Sequence, residues 1–262
     1  MDEGRRAKLR ETQAQFGRQA RRYADSALHR RGESLQTLLT LAAVQPQERV
    51  LDVGTGAGFT ALRLSEQAGL VLAADPTRQM LDEARRLEAE AGNGQRVQWS
   101  MATAETLPLT GRSVDVIACR YASHHFQDLP LALREFERAL RPGGRLVLCD
   151  VVAPESPEMV RLMNHLERTR DGTHVWNYPL SQWREELLPA AGLRAVEVVK
   201  GKNPQLFSEW VHRAGTPPPA VQELLGVFSS ATAEARDAFE VRWAGAELYF
   251  SWDNAVILAK RP

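Results

Sequence analysis

The sequence has little cysteine, with only Cys119 and Cys149 in 262 residues. Both lie inside apolar, strand-like runs, so we expect buried free thiols. This usage argues against a disulfide framework and against a cysteine-based metal site. It is typical of a reducing compartment, and we therefore expect a cytoplasmic protein.

Excess charge and long apolar runs are also absent. Lys plus Arg and Asp plus Glu both number 33, so the net charge is zero. This balance gives the molecule as a whole no net electrostatic attraction to nucleic acid or to an anionic membrane. No uncharged apolar run is long enough to span a bilayer, and the Arg-rich start lacks the apolar core of a signal peptide. Hydrophobic residues make up 44%, which is ordinary for a globular protein.

What the sequence does contain is an apolar run that ends in three alternating glycines. Residues 49–58 read Arg-Val-Leu-Asp-Val-Gly-Thr-Gly-Ala-Gly, and helical periodicity begins at Phe59. The pattern predicts a buried strand, a tight turn and the start of a helix. A dinucleotide site requires its third glycine one residue later than Gly58, and Asp52 would repel a pyrophosphate. Asp52 instead favours a ligand that carries an ammonium group.

A second acidic residue ends the next predicted strand. Residues 69–75 read Gly-Leu-Val-Leu-Ala-Ala-Asp. Asp75 follows Gly54 by about 20 positions, the spacing of carboxylates that bind a ribose. A carboxylate at this position accepts hydrogen bonds from both ribose hydroxyls, which suits either a dinucleotide or another nucleoside cofactor.

The glycine turn resembles motif I of the class I S-adenosylmethionine-dependent methyltransferases. Residues 102–109, Ala-Thr-Ala-Glu-Thr-Leu-Pro-Leu, are similar to the Gly-Asp-Ala-Glu-x-Leu-Pro-Phe stretch of that family. Residues 120–126 are similar to the Ala-x-His-His-Phe turn of its ubiquinone/menaquinone-biosynthesis (UbiE-like) members. The turn Arg-Pro-Gly-Gly-Arg at residues 141–145 follows in the family's order. The resemblance runs from about residue 45 to 152.

The resemblance implies an α/β fold with a Rossmann-like, seven-stranded, mostly parallel sheet. The last strand is expected to be antiparallel, with helices on both faces and additional helical cap elements. Residues 1–44 are expected to form a helical lid, and residues 45–152 the cofactor-binding core. Residues 153–262 would complete the sheet and carry helical substrate-cap insertions at about 153–192 and 204–243.

The resemblance also implies S-adenosylmethionine as cofactor, S-adenosylhomocysteine as product, and no metal. The amino-acid end is expected at Asp52, the sugar at Asp75 and the adenine at Met80 and the Ala104 amide. Thr103 stands where the family has an Asp, and a hydroxyl accepts from the adenine amine more weakly than a carboxylate. The implied cofactor residues are Asp52, Gly54, Thr55, Gly56, Gly58, Asp75, Pro76, Met80, Thr103, Ala104, Glu105 and Arg120.

Methyl transfer from a sulfonium depends mainly on placing the nucleophile in a dry, correctly charged pocket. A base is needed only where the acceptor must lose a proton. His124 and His125 lie beyond the fourth predicted strand, where open α/β sheets bind ligands. We expect them as candidate catalytic residues; a role in shaping the loop is the alternative. Their adjacency does not fit a metal site.

The substrate side is predicted from two further clusters. Phe16 and Tyr23 fall on one helical stripe, similar to the lid helix of small-molecule methyltransferases, so Tyr23 is expected in the active site or in plain core packing. A second cluster is expected to form a substrate wall for an anionic or aromatic acceptor. Its residues are Arg168, Arg170, Trp176 and Tyr178.

The sequence therefore predicts methylation of a small molecule on carbon, nitrogen or oxygen. One alternative is an RNA methyltransferase that uses the N-terminal arginines as an electrostatic footprint. A second is an NAD(P)-dependent oxidoreductase on a similar fold, against which Asp52 and the early Gly58 argue. A third is a protein that binds S-adenosylmethionine without turnover, which the Thr103 substitution keeps open.

Overall fold

A twisted sheet runs through the computed structural model, which describes residues 3–26, 30, 32–92 and 96–261. Over these residues the strands are β1 (Arg49–Val53), β2 (Leu70–Ala74), β3 (Val97–Ser100), β4 (Val114–Arg120), β5 (Leu140–Val152), β6 (Arg194–Leu206), β7 (Arg242–Ala244) and β8 (Glu247–Lys260). The strand order is β3-β2-β1-β4-β5-β8-β6, and β7 pairs with β8. Strands β1 to β5 pair in parallel, whereas β8 is antiparallel to both β5 and β6. The predicted α/β class is confirmed, and β7 adds a short eighth strand.

Helices cover both faces of this sheet. Those in the described ranges are α1 (Glu3–Ala24), α2 (Glu33–Ala42), α3 (Phe59–Leu64), α4 (Arg78–Glu90), α5 (Leu129–Ala139), α6 (Pro157–Arg170), α7 (residues 180–190, with a π-helical middle), α8 (Phe207–Ala214), α9 (Pro218–Ser229) and α10 (Ala233–Ala238). A single 3₁₀ turn lies at Ser123–His125. Across these residues no helix combines the length and the apolar composition of a membrane span.

The central strands are buried on both faces, which explains their near-continuous apolar sequence. Val116 and Ile117 on β4 are both fully buried and belong to different core clusters. One face packs against α5 through side chains such as Phe136. The other packs against α2 and α3 through side chains such as Leu38 and Leu64. The sheet is thereby held rigid between two layers of helices.

A third cluster is aromatic and lies among α6, α8, α9 and β8. Trp210 and Phe250 stack edge to face at 5.0 Å, and Phe250 and Trp252 at 4.8 Å between ring centroids. Phe228 of α9 closes the group. Buried aromatic rings remove a large apolar area from water, and edge-to-face pairs add to that gain. This cluster fixes α8 against the end of β8.

The helical insertion predicted at 153–192 is corrected, because residues 171–179 contain no helix. α6 ends before Asp171 and Gly172, and α7 begins after Pro179. Glycine and proline are typical of such helix boundaries. The loop hydrogen-bonds to the 3₁₀ turn instead. The amides of Val175 and Trp176 donate to the His124 carbonyl at 2.8 and 3.3 Å.

The insertion predicted at 204–243 is also corrected at its start, since β6 extends to Leu206. The run Gly-Lys-Asn-Pro at 201–204 is typical of a loop. In the structure Pro204 lies opposite Ser251 of β8, on the strand that ends the sheet. An edge strand accepts proline because the missing N–H faces away from the ladder.

Candidate active site

A cavity of about 1040 Å³ lies at the carboxyl ends of β1, β2 and β4. The strand order reverses between β1 and β4, and open α/β sheets bind ligands at such a switch point. Side chains of α1 form part of the lining, among them Thr12, Phe16 and Tyr23. The cavity opens to solvent and combines backbone, apolar and charged groups in its lining. This space, called the first cavity below, is large enough for a nucleoside cofactor.

The three alternating glycines have different structural roles in the turn after β1. All three have positive φ, at 65°, 54° and 84° for Gly54, Gly56 and Gly58. A Cβ at Gly54 would collide with that of Ala122, and one at Gly58 would lie 2.6 Å from the Trp99 ring. A Cβ at Gly56 would meet no protein atom within 4 Å. Gly54 and Gly56 line the first cavity, whereas the prediction for Gly58 is corrected, since it serves packing.

Asp52 is buried and hydrogen-bonds to the glycine turn. It is 1% exposed and is not among the residues that line the first cavity. Its Oδ2 accepts a hydrogen bond of 2.6 Å from the Thr55 hydroxyl. Burial raises the pKa of Asp52 to about 7, against the hydrogen bond from Thr55 and the charge of Arg120. Asp52 therefore does not line the first cavity, whereas Thr55 does; a contact of Asp52 with the amino-acid end of a cofactor stays a prediction.

Asp75 does face the cavity and is fixed by backbone amides. Its Oδ2 accepts from the Gly56 N–H at 2.9 Å and its Oδ1 from the Thr77 N–H at 2.8 Å. Burial raises the pKa of this carboxyl against those two bonds. Each oxygen keeps a further lone pair, so both can accept from a pair of adjacent hydroxyls. Pro76 also lines the cavity, and its carbonyl accepts from Gln13 of α1 at 2.8 Å.

The lining of the first cavity also includes Met80, Thr103, Ala104 and Glu105; their contact with an adenine stays a prediction. The Thr103 hydroxyl is buried and has no hydrogen-bond partner among the described residues. A buried hydroxyl normally has a partner, so a ligand amine fits here. Glu105 holds the neighbouring loop through the Gln127 amide at 2.8 Å.

Arg120 supplies the positive charge of the first cavity, at the end of β4. It is 9% exposed, and its guanidinium donates to the Thr60 hydroxyl at 3.2 Å and to the Ser34 hydroxyl at 3.3 Å. The guanidinium also lies 5.4 Å from the centre of the Tyr121 ring. Burial lowers its pKa, although an arginine stays charged in proteins. The arrangement suits the carboxylate of an amino-acid ligand.

A second cavity of about 570 Å³ adjoins the first. The two share four lining residues, Phe16, Tyr23, Tyr121 and His125. Its other lining residues are His124, Val151, Glu167, Arg170, Asn177, Asn203, Gln205, Trp210, Arg213 and Trp252. A molecule in this cavity would therefore lie directly beside one in the first. Tyr23 lines both cavities.

His124 forms a buried pair with Asp150. The His124 Nδ1 lies 2.7 Å from Oδ1 of Asp150, whose side chain is 2% exposed. Asp150 also accepts from the Ser123 hydroxyl and from the amides of His124 and Val151. Burial alone would lower the pKa of His124, but the charge and hydrogen bond of Asp150 outweigh it and raise the pKa. With Nδ1 bound to Asp150, Nε2 is the nitrogen left to accept a proton.

Asp150 was not predicted as a site residue. Burial would raise its pKa, yet the charge of His124 and the hydrogen bonds it accepts hold the pKa below its ordinary value. One signal in the sequence pointed to it: a charged residue in the apolar run Leu-Val-Leu-Cys-Asp-Val-Val at 146–152. Such a residue rarely lies fully buried unless it is paired.

His125 is held differently from its neighbour. Its Nδ1 lies 3.2 Å from the Thr173 carbonyl, and its ring meets Phe16 edge to face at 4.8 Å. Burial first, and then the charge of His124, lower its pKa to about 4, so the ring is neutral at pH 7. Within the described ranges no three His, Cys, Asp or Glu side chains are grouped as metal ligands.

The predicted substrate wall is corrected for three of its residues. Arg168 is exposed, donates to the Val175 carbonyl and stacks on Trp176 at 5.8 Å. Tyr178 packs edge to face on Trp183. None of Arg168, Trp176 and Tyr178 lines either cavity. Arg170 does line the second, because two residues along a helix turn the side chain by about 200°.

These features together define a class of enzyme. The sheet order, the antiparallel last strand, the glycine turn open at Gly56 and the carboxylate of Asp75 are those of a class I methyltransferase core. The methyltransferase domain family matches residues 51–148. The chain belongs to the family of S-adenosylmethionine-dependent methyltransferases.

Individual relatives agree with this assignment. The chain is 37% identical to the uncharacterized methyltransferase YcgJ of Bacillus subtilis, over 86% of this chain and 88% of that protein. The crystal structure of YcgJ superposes with a TM-score of 0.83, covering 87% of this chain and 98% of YcgJ at 34% identity. A demethylmenaquinone methyltransferase of Deinococcus radiodurans is 38% identical, over 44% of this chain and 48% of that protein.

Proposed function

We propose that this protein transfers a methyl group from S-adenosylmethionine to a small molecule bound in the second cavity. The observation that supports the proposal is the wall shared by the two cavities, formed by Phe16, Tyr23, Tyr121 and His125. When bound, S-adenosylmethionine supplies an electrophilic methyl group. A wall of shared side chains positions a nucleophile against that group and excludes water, which are the main requirements of the reaction.

The first cavity has a suitable group for each part of the cofactor. We assign the ribose hydroxyls to Asp75, the adenine amine to the unpartnered Thr103 hydroxyl and the adenine ring to Met80. The carboxylate of the amino-acid end is assigned to Arg120, and the turn at Gly56 provides close approach to the backbone. Lining and burial of these residues support the assignment.

We assign the role of general base to His124. Asp150 binds Nδ1, fixes the ring and stabilises the imidazolium that forms when Nε2 takes a proton. An acceptor that is methylated at a C–H, N–H or O–H position loses a proton, so a base is useful for each of these. His125, neutral and held by the Thr173 carbonyl, is assigned to binding the acceptor rather than to proton transfer.

A small acceptor is favoured over RNA because α1 lies across the site. Phe16 and Tyr23 of α1 line both cavities, and Gln13 ties α1 to Pro76 at the end of β2. The similarity to a demethylmenaquinone methyltransferase agrees with a small acceptor of the UbiE-like kind. Two buried free cysteines support a cytoplasmic site of action. No metal is assigned a part in the reaction.

The test combines cofactor binding with turnover. Isothermal titration calorimetry would measure S-adenosylhomocysteine binding to the wild type, Asp75→Asn, His124→Gln and the control Asp82→Asn, whose side chain is 58% exposed on α4. We expect Asp75→Asn to lose at least tenfold in affinity, and His124→Gln and the control to bind normally. Radiolabelled methyl transfer into a metabolite extract should occur with the wild type and the control, and fall at least 100-fold in His124→Gln.

Two outcomes would contradict the proposal. S-adenosylhomocysteine binding that is equal in the wild type and Asp75→Asn would place the nucleoside elsewhere. Radiolabel that enters bulk RNA and no small molecule would favour the RNA methyltransferase, for which a salt-dependent gel shift is the confirming measurement.

A further inference from the structure

We propose that the methyl acceptor is a small anion whose acidic group, a carboxylate or a phosphate, binds Arg213 in the second cavity. The inference rests on the proposed function and adds the chemical class of the acceptor to it. Arg213 lies on α8, and it lines the second cavity but not the first. It was not among the residues predicted from the sequence.

The charges around the second cavity are paired except at Arg213. Glu167 and Arg170 form an ion pair of 3.0 Å, with side chains 8% and 10% exposed. Asp150 pairs with His124. Among the described residues no carboxylate lies within 4.0 Å of the Arg213 guanidinium, which lacks an ion-pair partner. A half-buried cation without an acidic partner is costly, and a bound anion supplies that partner.

Neutral amides hold this guanidinium in place. Arg213 Nη2 donates to Gln205 Oε1 at 2.8 Å, and Gln205 Nε2 donates to Asn203 Oδ1 at 2.8 Å. Gln205 and Asn203 are 5% and 6% exposed. The other guanidinium nitrogens make no hydrogen bond to a described residue, so a second edge of the planar group is available. Two parallel N–H groups match the oxygens of a carboxylate or phosphate.

Burial first, and then the nearby charge of Arg170, lower the pKa of Arg213. Both effects act against the positive charge, and an anion on the guanidinium would offset both. The charges of Glu167 and Glu209 act in the opposite direction on Arg213, but Glu167 is paired with Arg170, and neither carboxylate forms an ion pair with Arg213. Neither carboxylate therefore takes the place of a ligand at Arg213.

Asn177 gives a second, independent sign of a ligand. The residue is 2% exposed and lines the second cavity, yet its side-chain oxygen is buried without a hydrogen-bond partner among the described residues. Buried amides are normally bonded, so a hydroxyl or amine of the acceptor fits here. The rings of Trp210 and Trp252 form a flat, apolar part of the wall of the second cavity. The acceptor we infer thus has an acidic group, a hydrogen-bond donor and a flat or apolar body.

The test uses three matched probes with the protein saturated with S-adenosylhomocysteine. These are benzoate, phenyl phosphate and the neutral benzamide, and isothermal titration calorimetry measures the binding of each. We expect at least one anion to bind ten times more tightly than benzamide. Arg213→Gln should lose at least tenfold for that anion and leave benzamide unchanged. Arg168→Gln, which alters an exposed arginine outside both cavities, is the matched control and should bind like the wild type.

The two anions distinguish a carboxylate site from a phosphate site. Equal binding of the anion to Arg213→Gln and the wild type, benzamide binding as tightly as the anions, or no anion binding at all would each overturn the inference. S-adenosylhomocysteine affinity is measured for every variant as a check of folding. If the wild type itself does not bind S-adenosylhomocysteine, the proposed function is overturned. The failure of that function and the failure of the acceptor inference are therefore distinguishable.

Discussion

In the proposed reaction His124 is the residue that takes the proton, and its partner Asp150 decides the direction in which its pKa is shifted. The Asp150 carboxylate raises the pKa of His124 in a buried setting that alone would lower it. A base acts in its neutral form, so activity should fall as the pH falls through the His124 pKa, which lies above the ordinary value. Ser123 and the Val151 amide keep Asp150 ionised and in place.

Asp150→Asn is expected to move the acid limb of the activity profile to lower pH. The amide carries no charge, so burial lowers the His124 pKa. The rate at the plateau should fall by about 10²-fold or more, because the ring loses its orienting partner. The measurement is kcat/KM against pH, with Asp82→Asn as control. An unchanged acid limb would show that His124 is not the titrating base.

Gly56→Ala tests whether the glycine turn faces a ligand. A Cβ there meets no protein atom but lies at the lining of the first cavity. We expect S-adenosylhomocysteine affinity to fall at least tenfold, with a stability loss of about 1–2 kcal/mol from the positive φ. Gly143→Ala is the matched control, since Gly143 has φ 77° and equally open space but lies away from the cavity. Equal effects on affinity would contradict a ligand at Gly56.

Among elements, the strands of the core were predictable, whereas after β5 the sequence indicated the kinds of element but not where each one ends. Apolar runs that end in glycine or an acidic residue predicted β1 and β2, because a strand buried on both faces must be apolar throughout. The same local rules failed at Pro204, which they assign to a loop. Pro204 lies in a strand because that strand is at the edge of the sheet, and its place there depends on pairing with the distant β8. Arg213 was missed for a similar reason: only tertiary packing brings α8 beside α1, β6 and β8.

α1 is the element that closes the site, and Phe16→Ala tests this role. The ring contacts His125 at 4.8 Å and Tyr23 at 5.6 Å and lines both cavities. Its removal should admit water and loosen the acceptor, lowering kcat/KM by about 10²-fold, since small misplacement of reacting groups has effects of that size. Arg10→Ala, on the exposed face of α1, should leave kcat/KM unchanged. Equal activity of both variants would show that α1 does not form part of the reaction site.

At the scale of the whole molecule, one rigid sheet supports both cavities from its carboxyl edge. β1, β2 and β4 present the cofactor residues, whereas β5 presents Asp150 and β6 presents Gln205 and Asn203. Along the sequence these groups are spread from Gly54 to Gln205. Their approach follows from strand order, which the resemblance predicted as a whole and which no local pattern specifies.

A ligand that bridges several strands should stabilise the entire domain. At a concentration 100 times its Kd, S-adenosylhomocysteine is expected to add about 2.7 kcal/mol to the free energy of unfolding. For a domain of this size that corresponds to a rise in Tm of roughly 5–10 °C. Differential scanning calorimetry should show this rise in the wild type and in Asp82→Asn, and a much smaller one in Asp75→Asn. NAD at the same concentration should leave Tm unchanged, because the glycine turn lacks the spacing that a pyrophosphate requires. A rise with NAD equal to that with S-adenosylhomocysteine would mean that the first cavity does not select a phosphate-free nucleoside.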